Sequence, residues 1–334
     1  MAGAPAGCTD NRGVLDILRV TFPFFALVLC GYLAARRGLL PLAAIPGLNT
    51  FVLFFALPCM LFRFGSGTPI AQLLDGTALL VYLVCALLMV SFTVATTMNA
   101  RIGWNDAAFG ALVASFPNTG FMGVPLLVAL LGAQAAGPAI VTILVDLIVT
   151  SSLCIALSRL DGADEHGAAQ AARNALRGVV VNPMPWAILA GAVVSWQGLT
   201  LPPPAMQTIG LLADAASPVA LFTIGAVLAR SAMLNAGSNM RPMPLRDYLP
   251  VVVFKLVLHP LLVLLAGITA IDAGLPLDRF ALTVMVLVAA LPSASNVSVL
   301  AERFEADAGR VARIILVTTV LAFLSFSGAV ALLT

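Results

Sequence analysis

Two short polar segments interrupt an otherwise apolar chain, and each contains a proline. The first is Ser115–Gly120, with the sequence SFPNTG, and the second is Pro292–Ser298, with the sequence PSASNVS. Proline removes a backbone donor and clashes with the preceding helical turn, while asparagine, serine and glycine favour non-helical backbone. A helix broken in this way presents unpaired amides at the start of its second half, and such amides attract anions. The two segments therefore predict a site for a small anion.

The stretches around both segments predict helices that span a membrane. Of the 334 residues, 61% are apolar and only 10% are charged, whereas a soluble domain carries about 25% charged residues. Many apolar runs approach or exceed the ~20 residues that cross a hydrocarbon core as a helix. We predict an all-α membrane protein with ten transmembrane helices, spans 1 to 10: Val14–Arg36, Pro46–Phe64, Gly76–Ala100, Asp106–Leu131, Gly137–Leu160, Val179–Trp196, Pro203–Ala229, Tyr248–Ile271, Leu277–Ala301 and Val311–Leu333.

Both interruptions lie near the middle of their spans, Pro117 in span 4 and Pro292 in span 9. For either span alone, a simple kink packed by neighbouring helices is an equal alternative. The occurrence of both breaks at corresponding places favours a binding site near the midplane. Its candidate residues are Pro117, Asn118, Thr119, Gly120, Pro292, Ser293, Ser295, Asn296 and Ser298.

The chain divides into two halves with an odd number of spans each. Residues 1–160 contain spans 1 to 5, residues 179–334 contain spans 6 to 10, and the polar segment 161–178 links them on the cytoplasmic side. Five spans in the first half force the second half to enter the membrane upside down. The pattern Pro-x-x-Leu-Phe-x-x-Gly at Pro58–Gly65 recurs at Pro218–Gly225, an offset of 160 residues. We predict two inverted five-helix repeats in which the broken spans 4 and 9 cross.

The arginines predict the orientation of the spans. Twelve of them fall on the odd-numbered connections and four on the opposite side, and cytoplasmic loops accumulate positive residues. We therefore expect both termini to be periplasmic or extracellular. The first 13 residues lack the basic region of a cleaved signal peptide, so we expect span 1 to remain in the protein.

Three ionisable residues are predicted to lie deep in the membrane, where a charge costs at least about 2.5–3.5 kcal/mol. Lys255 and His259 are four residues apart in span 8 and share a face, and Asp146 lies midway along span 5. Lys255 could balance a bound carboxylate or pair with Asp146, and both interpretations stay open. Asp146 and His259 could carry protons for coupling, or each could be a satisfied interior group.

Four segments closely resemble the auxin efflux carrier family: SFPNTGFMGVPLL at Ser115–Leu127, LPSASNVSVLAERF at Leu291–Phe304, NPMPWAILAG at Asn182–Gly191, and Lys255-Leu256 with Pro260. Bacterial members of that family include predicted malonate and malate permeases. The resemblance implies ten helices with external termini, a scaffold of spans 1, 2, 6 and 7, and a mobile transport unit of spans 3–5 and 8–10. It also implies that the crossover prolines are Pro117 and Pro292 and that Asn118 contacts the substrate carboxylate. Plant members are dimers, so the resemblance implies a homodimer through the scaffold in a bacterial inner (plasma) membrane.

These observations favour a secondary transporter or facilitator of mono- or dicarboxylates, such as malonate or malate, that works by alternating access. Whether transport is coupled to protons stays open. A monovalent cation/proton antiporter is the alternative, although it predicts an acidic pair where this chain has asparagine and serine. An enzyme is not expected, because the spans lack paired aspartates, a Ser/Lys arrangement or a metal-binding histidine motif.

The expected partners are a small organic anion, the lipid bilayer and a second copy of the chain. The sequence has no Walker motif, which argues against a primary pump built from this chain alone. The five cysteines show no spacing typical of metal ligands, so we expect no metal and no cofactor. We expect no nucleic acid partner.

Overall fold

The structure is a computed structural model, and it describes residues 11–69, 75–159, 173, 177, 180–236 and 243–334. Across these residues the chain is helical and forms no β-strand, with only two isolated backbone pairs, Asn99 with Ile102 and Pro117 with Ser293. The predicted all-α class is confirmed for this part of the chain. Apart from residues 173 and 177, the predicted linker 161–178 lies outside the described residues.

Besides the short 3-10 helix Leu245–Asp247, we number twelve helices of the described ranges in chain order. They are α1 (Asn11–Arg36), α2 (Leu42–Gly67), α3 (Gly76–Thr97), α4 (Trp104–Ser115), α5 (Thr119–Leu131), α6 (Ala133–Leu157), α7 (Pro183–Gln197), α8 (Pro203–Ala236), α9 (Leu249–Asp272), α10 (Arg279–Ala289), α11 (Val297–Arg303) and α12 (Ala308–Leu333). Seven of them, within the described residues, are long and apolar enough to cross a membrane: α1, α2, α3, α6, α8, α9 and α12. The chain is therefore a multi-pass membrane protein.

Spans 4, 6 and 9 differ from the other predicted spans in length. Span 4 is divided into α4 and α5, and span 9 into α10 and α11, so the predicted interruptions at Pro117 and Pro292 are confirmed. Span 6 corresponds to α7, which has 15 residues and is about 22 Å long. It is short because the Asn182 side chain caps its start and Gly198 ends it in a left-handed conformation with φ of 60°. The number of ten spans stays a prediction.

Glycines allow two pairs of helices to approach closely, α1 with α8 and α2 with α7. Gly31 of α1 lies against the carbonyl of Phe222, and Gly191 of α7 lies against the carbonyl of Phe62. A β-carbon at either glycine would collide with that backbone. The two contacts are related by the same offset of 160 residues as the repeated sequence pattern. A second set of contacts has the same relation: Gly225 with the Val28 carbonyl and Gly65 with the Ile188 carbonyl.

Large apolar side chains cover much of the outer surface of the bundle. Phe22, Phe54, Phe55, Leu324 and Leu332 are all exposed. A soluble monomer rarely carries such an extended apolar surface. In a membrane, lipid tails would cover this surface. Helices tolerate that contact because their backbone N–H and carbonyl groups are hydrogen-bonded within the helix.

Candidate functional site

The two interruptions lie against each other and pair through their backbones. The Asn118 N–H donates to the Pro292 carbonyl at 2.8 Å, and the Ala294 N–H donates to the Phe116 carbonyl at 2.9 Å. This short antiparallel contact, which we call the crossover, satisfies part of the backbone that the broken helices leave free. Buried backbone groups need such partners, so each break stabilises the other.

Ser293 holds the crossover in place. In an unbroken helix its N–H would donate to the Ala289 carbonyl four residues earlier. It instead donates to the Thr318 hydroxyl of α12 at 3.3 Å, while the Ser293 hydroxyl donates to the Val113 carbonyl of α4 at 2.7 Å. Ser293 therefore connects three helices, and its hydroxyl is already occupied.

Other polar groups at the crossover make no hydrogen bond within the described part of the chain. Asn118 Oδ1, Thr119 Oγ1 and Asn296 Oδ1 are buried without a partner. The backbone N–H groups of Gly120 and Phe121, in the first turn of α5, also have no acceptor among the described residues. Native proteins pair nearly all buried polar atoms. Other unpaired buried atoms of the described chain, such as His259 Nε2 and Arg310 Nη2, lie elsewhere, whereas those at the crossover are grouped, so this group is the candidate place for a ligand.

A small cavity of about 20 Å³ opens beside these groups. Four of the nine predicted binding residues line it: Pro117, Asn118, Gly120 and Asn296. Its apolar wall is formed by Leu57, Phe116, Phe121, Ile143, Leu147, Met184 and Ala294. This volume holds about one water molecule. A carboxylate would therefore require the cavity to widen.

The other five predicted binding residues do not line this crossover cavity. Thr119 is adjacent to it, Pro292 supplies a carbonyl to Asn118, and Ser293 is held by Val113. The Ser298 hydroxyl donates to the Ser295 carbonyl at 2.8 Å. The structure thus brings all nine residues together around the crossover, although only four face the cavity.

Asp146 belongs to a second polar region, in α6. Its side chain is fully buried, and its two oxygens accept hydrogen bonds from the Tyr82 hydroxyl at 3.2 Å and the Thr150 hydroxyl at 3.1 Å. Asp146 begins a π-helical turn, Asp146–Thr150, and such turns often redirect side chains at functional sites. Sequence reasoning missed Tyr82, although it is one of only three tyrosines in the chain.

Lys255 and His259 lie side by side on α9, as the spacing predicted. The Lys255 ammonium donates to the Ala289 carbonyl at 3.0 Å and contacts His259 Nδ1 at 3.1 Å. At the end of α10, the Lys255 ammonium thus takes the place of the Ser293 N–H as hydrogen-bond donor to the Ala289 carbonyl. Among the described side chains it forms no direct ion pair with Asp146. The Tyr82 and His259 rings are 6.0 Å apart, so the polar groups of α3, α6 and α9 form one buried cluster.

Two further arrangements of charge lie away from the cavity. Arg63 of α2 pairs with Asp214 of α8 at 2.6 Å. Arg310, which the sequence analysis did not single out, is buried and donates to the carbonyls of Asp247 at 2.7 Å and Asp106 at 2.8 Å. It joins the ends of three helices. Within the described ranges, no group of three His, Cys, Asp or Glu residues could hold a metal ion.

Known proteins similar to this chain are transporters by name. A family model described as "Membrane transport protein" matches residues 17–330. A Rhizobium meliloti protein named "Putative malonate transporter" is 29% identical over 318 residues, which cover 94% of each chain. "Uncharacterized transporter YfdV" of Escherichia coli is 28% identical over 287 residues, covering 84% of this chain and 86% of the relative. An "Uncharacterized transporter" of Methanothermobacter thermautotrophicus is 27% identical over 303 residues, covering 90% and 92%.

Proposed function

We propose, on the premise that this chain belongs to the membrane transport protein family of the auxin efflux carriers, that it is a secondary transporter or facilitator of small carboxylates. Malonate is the first candidate substrate, because a relative covering 94% of the chain carries that name. Malate is the second, from the family resemblance alone. The observation that carries the proposal is the cavity beside two crossed, broken helices, where buried polar atoms have no partner.

The chemistry of the crossover suits a carboxylate. The free N–H groups of Gly120 and Phe121 stand at the first turn of α5, where the helix dipole favours negative charge. Asn118 and Asn296, one from each break, line the same cavity. Thr119, Ser295 and Ser298 would complete the site when the cavity widens. Pro117 and Pro292 keep the backbone open, and Ser293 keeps the two breaks together.

Alternating access would follow from relative movement of two units. We propose a scaffold of spans 1, 2, 6 and 7 and a transport unit of spans 3–5 and 8–10. The cavity is lined by Leu57 of span 2 and Met184 of span 6, both in the proposed scaffold, and by residues of spans 4, 5 and 9, which belong to the proposed transport unit. A shift at this boundary would change both the size of the cavity and the side from which it opens.

Two inverted repeats of five spans would explain the paired glycine contacts. Gly31 with Phe222 and Gly191 with Phe62 are the same contact with the halves exchanged, at an offset of 160 residues. Such exchange is expected when two homologous halves face each other. We therefore retain residues 1–160 and 179–334 as the repeats, with ten spans in all.

The arginine distribution and the family resemblance suggest where the protein lies, how it is oriented and how it assembles. We propose a multi-pass protein of the bacterial inner membrane with both termini on the outer side. A homodimer would form through the scaffold spans.

Coupling, if it occurs, would involve the cluster of Asp146, Lys255 and His259. It lies next to the crossover, because Lys255 holds the Ala289 carbonyl at the end of α10. The competing function, a monovalent cation/proton antiporter, would use the same crossed helices. The lining of the cavity, which has no acidic residue, favours the carboxylate.

Flux measurements on purified protein in liposomes separate these functions. We expect labelled malonate to enter protein-containing liposomes faster than protein-free ones. An imposed pH gradient, compared with an imposed Na⁺ gradient, then reports the coupling ion. Transport of Na⁺ or K⁺ against protons without carboxylate flux would contradict the proposal and establish the antiporter.

A further inference from the structure

We propose that the crossover cavity accepts carboxylates carrying a single negative charge, so that a dicarboxylate such as malonate binds in its singly protonated form. This inference rests on the proposed carboxylate transport and specifies the substrate species at that same site.

The lining of the cavity contains no charged side chain. Asn118 and Asn296 are the lining residues with polar side chains, and the other lining residues offer only apolar side chains or backbone. The start of α5 contributes a partial positive charge equivalent to about half a unit. That is suited to one carboxylate, because a buried ion needs compensation by opposite charge or by several hydrogen bonds. A second carboxylate in the same small space would find side-chain amides but no opposite charge.

Charged groups on the helices around the cavity are already engaged elsewhere. Asp146 lies on α6 between two lining residues, but its oxygens are held by Tyr82 and Thr150. Lys255 of α9 is held by Ala289 and His259. The pair of Arg63 and Asp214 and the buried Arg310 lie away from the cavity, and none of these residues lines it. Among the described residues, the cavity lining therefore offers no cation to a second carboxylate.

The unpaired side-chain oxygens at the crossover favour a ligand that carries a hydrogen-bond donor. Asn118 Oδ1 and Asn296 Oδ1 are hydrogen-bond acceptors, and both are buried without a partner. A carboxylate offers only acceptors, whereas a protonated carboxyl group offers an O–H donor. The singly protonated dicarboxylate supplies one group of each kind. Its carboxylate would meet the free N–H groups, and its O–H would meet an asparagine oxygen.

The test compares malonate with its monomethyl ester, which carries one negative charge throughout the pH range above its single ionisation. Wild-type protein in liposomes is given each labelled compound below saturation, with equal pH on both sides, over several pH values above the second ionisation of malonate. The readout is the ratio of malonate uptake to ester uptake, which cancels any titration of the protein itself.

We expect this ratio to fall about tenfold per pH unit, following the fraction of singly protonated malonate. A ratio that stays constant or rises with pH would overturn the inference, because the site would then accept the dianion. If the ester is not taken up because it lacks the O–H donor, the monoamide of malonate, which carries one charge and N–H donors, replaces it as the reference. Uptake of malonate without uptake of either the ester or the monoamide would overturn the inference. Uptake of none of these compounds above protein-free liposomes would refute the proposed carboxylate transport itself.

A second readout is the charge moved with each molecule, measured at potassium diffusion potentials set with valinomycin. We expect malonate and the monomethyl ester to move the same net charge per molecule. One extra negative charge moved with malonate would contradict the inference.

Discussion

The crossover and the cluster around Asp146 are two polar regions of one apolar bundle, and they differ in how their polar atoms are paired. In the cluster, both oxygens of Asp146 and the ammonium of Lys255 have partners, and His259 Nε2 is the one atom of its polar side chains described as buried without a partner. At the crossover, Asn118 Oδ1 and Asn296 Oδ1 have none within the described chain. Polar groups that are hydrogen-bonded to each other hold helices together, whereas buried polar groups beside a cavity that have no partner can bind a ligand. The difference supports the proposal that the substrate binds at the crossover, with the cluster holding the surrounding helices.

The largest effect is expected at the unpaired atoms. We expect Asn118→Ala to lower malonate flux in liposomes by roughly 10- to 100-fold, because a hydrogen bond to a charged group contributes about 1.5–3 kcal/mol. Asn296→Ala should act in the same direction. Thermal stability should change little, since no protein partner is lost.

The matched control for these variants is Ser115→Ala. Ser115 is buried on α4 close to Asn118, but its hydroxyl donates to the Ala111 carbonyl of its own helix. Its flux should equal that of the wild type. If Asn118→Ala and Ser295→Ala both keep wild-type flux, the crossover is not the binding site.

The second effect concerns stability in the cluster. Lys255→Met would leave the Ala289 carbonyl and His259 Nδ1 without their partner, and each unsatisfied buried group costs about 1–3 kcal/mol. We expect a clearly lower thermal unfolding temperature in detergent. Arg279→Met removes an exposed cation and should change stability by less than about 0.5 kcal/mol.

Unchanged stability of the Lys255→Met variant would change the role assigned to the cluster around Asp146. If the variant keeps its unfolding temperature but loses flux, the ammonium compensates the substrate charge instead of holding α10. The sequence alone left open whether Lys255 balances the substrate charge or pairs with Asp146, and its bond to the Ala289 carbonyl was not predicted.

A smaller effect on flux is expected at Gly120. A β-carbon there would meet no atom within 4 Å, and the residue lines the cavity. Gly120→Ala should therefore fold normally and lower malonate flux several-fold by occupying part of the cavity. Gly210→Ala is the control, because a β-carbon at Gly210 in α8 also meets nothing within 4 Å. Equal flux in the two variants would show that the cavity is not on the transport path.

The smallest effect is expected for Tyr82→Phe. The change removes one hydrogen bond to Asp146 and leaves the Thr150 bond in place. We expect a loss of stability of about 1 kcal/mol and malonate flux within twofold of the wild type. A changed dependence of flux on pH would instead indicate that the cluster takes part in proton coupling.

Local chemistry explains what the sequence could predict. Pro117 and Pro292 break their helices because of covalent geometry, and α4 ends at Ser115 and α10 at Ala289 accordingly. The start of α3 at Gly76 was also predictable, since Asp75 caps it through the amides of Thr77 and Ala78. These features depend on a few neighbouring residues.

Contacts between distant residues explain what the sequence could not predict. The partner of Lys255 depends on the π-helical turn Phe254–Leu258, which alters the direction of the side chains around it. Neither Tyr82 nor Thr318 stands out in its helix, and each gains its role from a group far away in the chain. The shortness of α7 was likewise hidden, because the residues before Asn182 are also apolar.

Ligand-induced stabilisation tests most directly whether the crossover binds the carboxylate. Thermal unfolding of wild-type protein, Asn118→Ala and Ser115→Ala is measured with and without malonate at a pH where part of it is singly protonated. Binding to the folded state raises the unfolding temperature by mass action. We predict a rise for wild type and Ser115→Ala and none for Asn118→Ala. An equal rise in all three would contradict binding at the crossover.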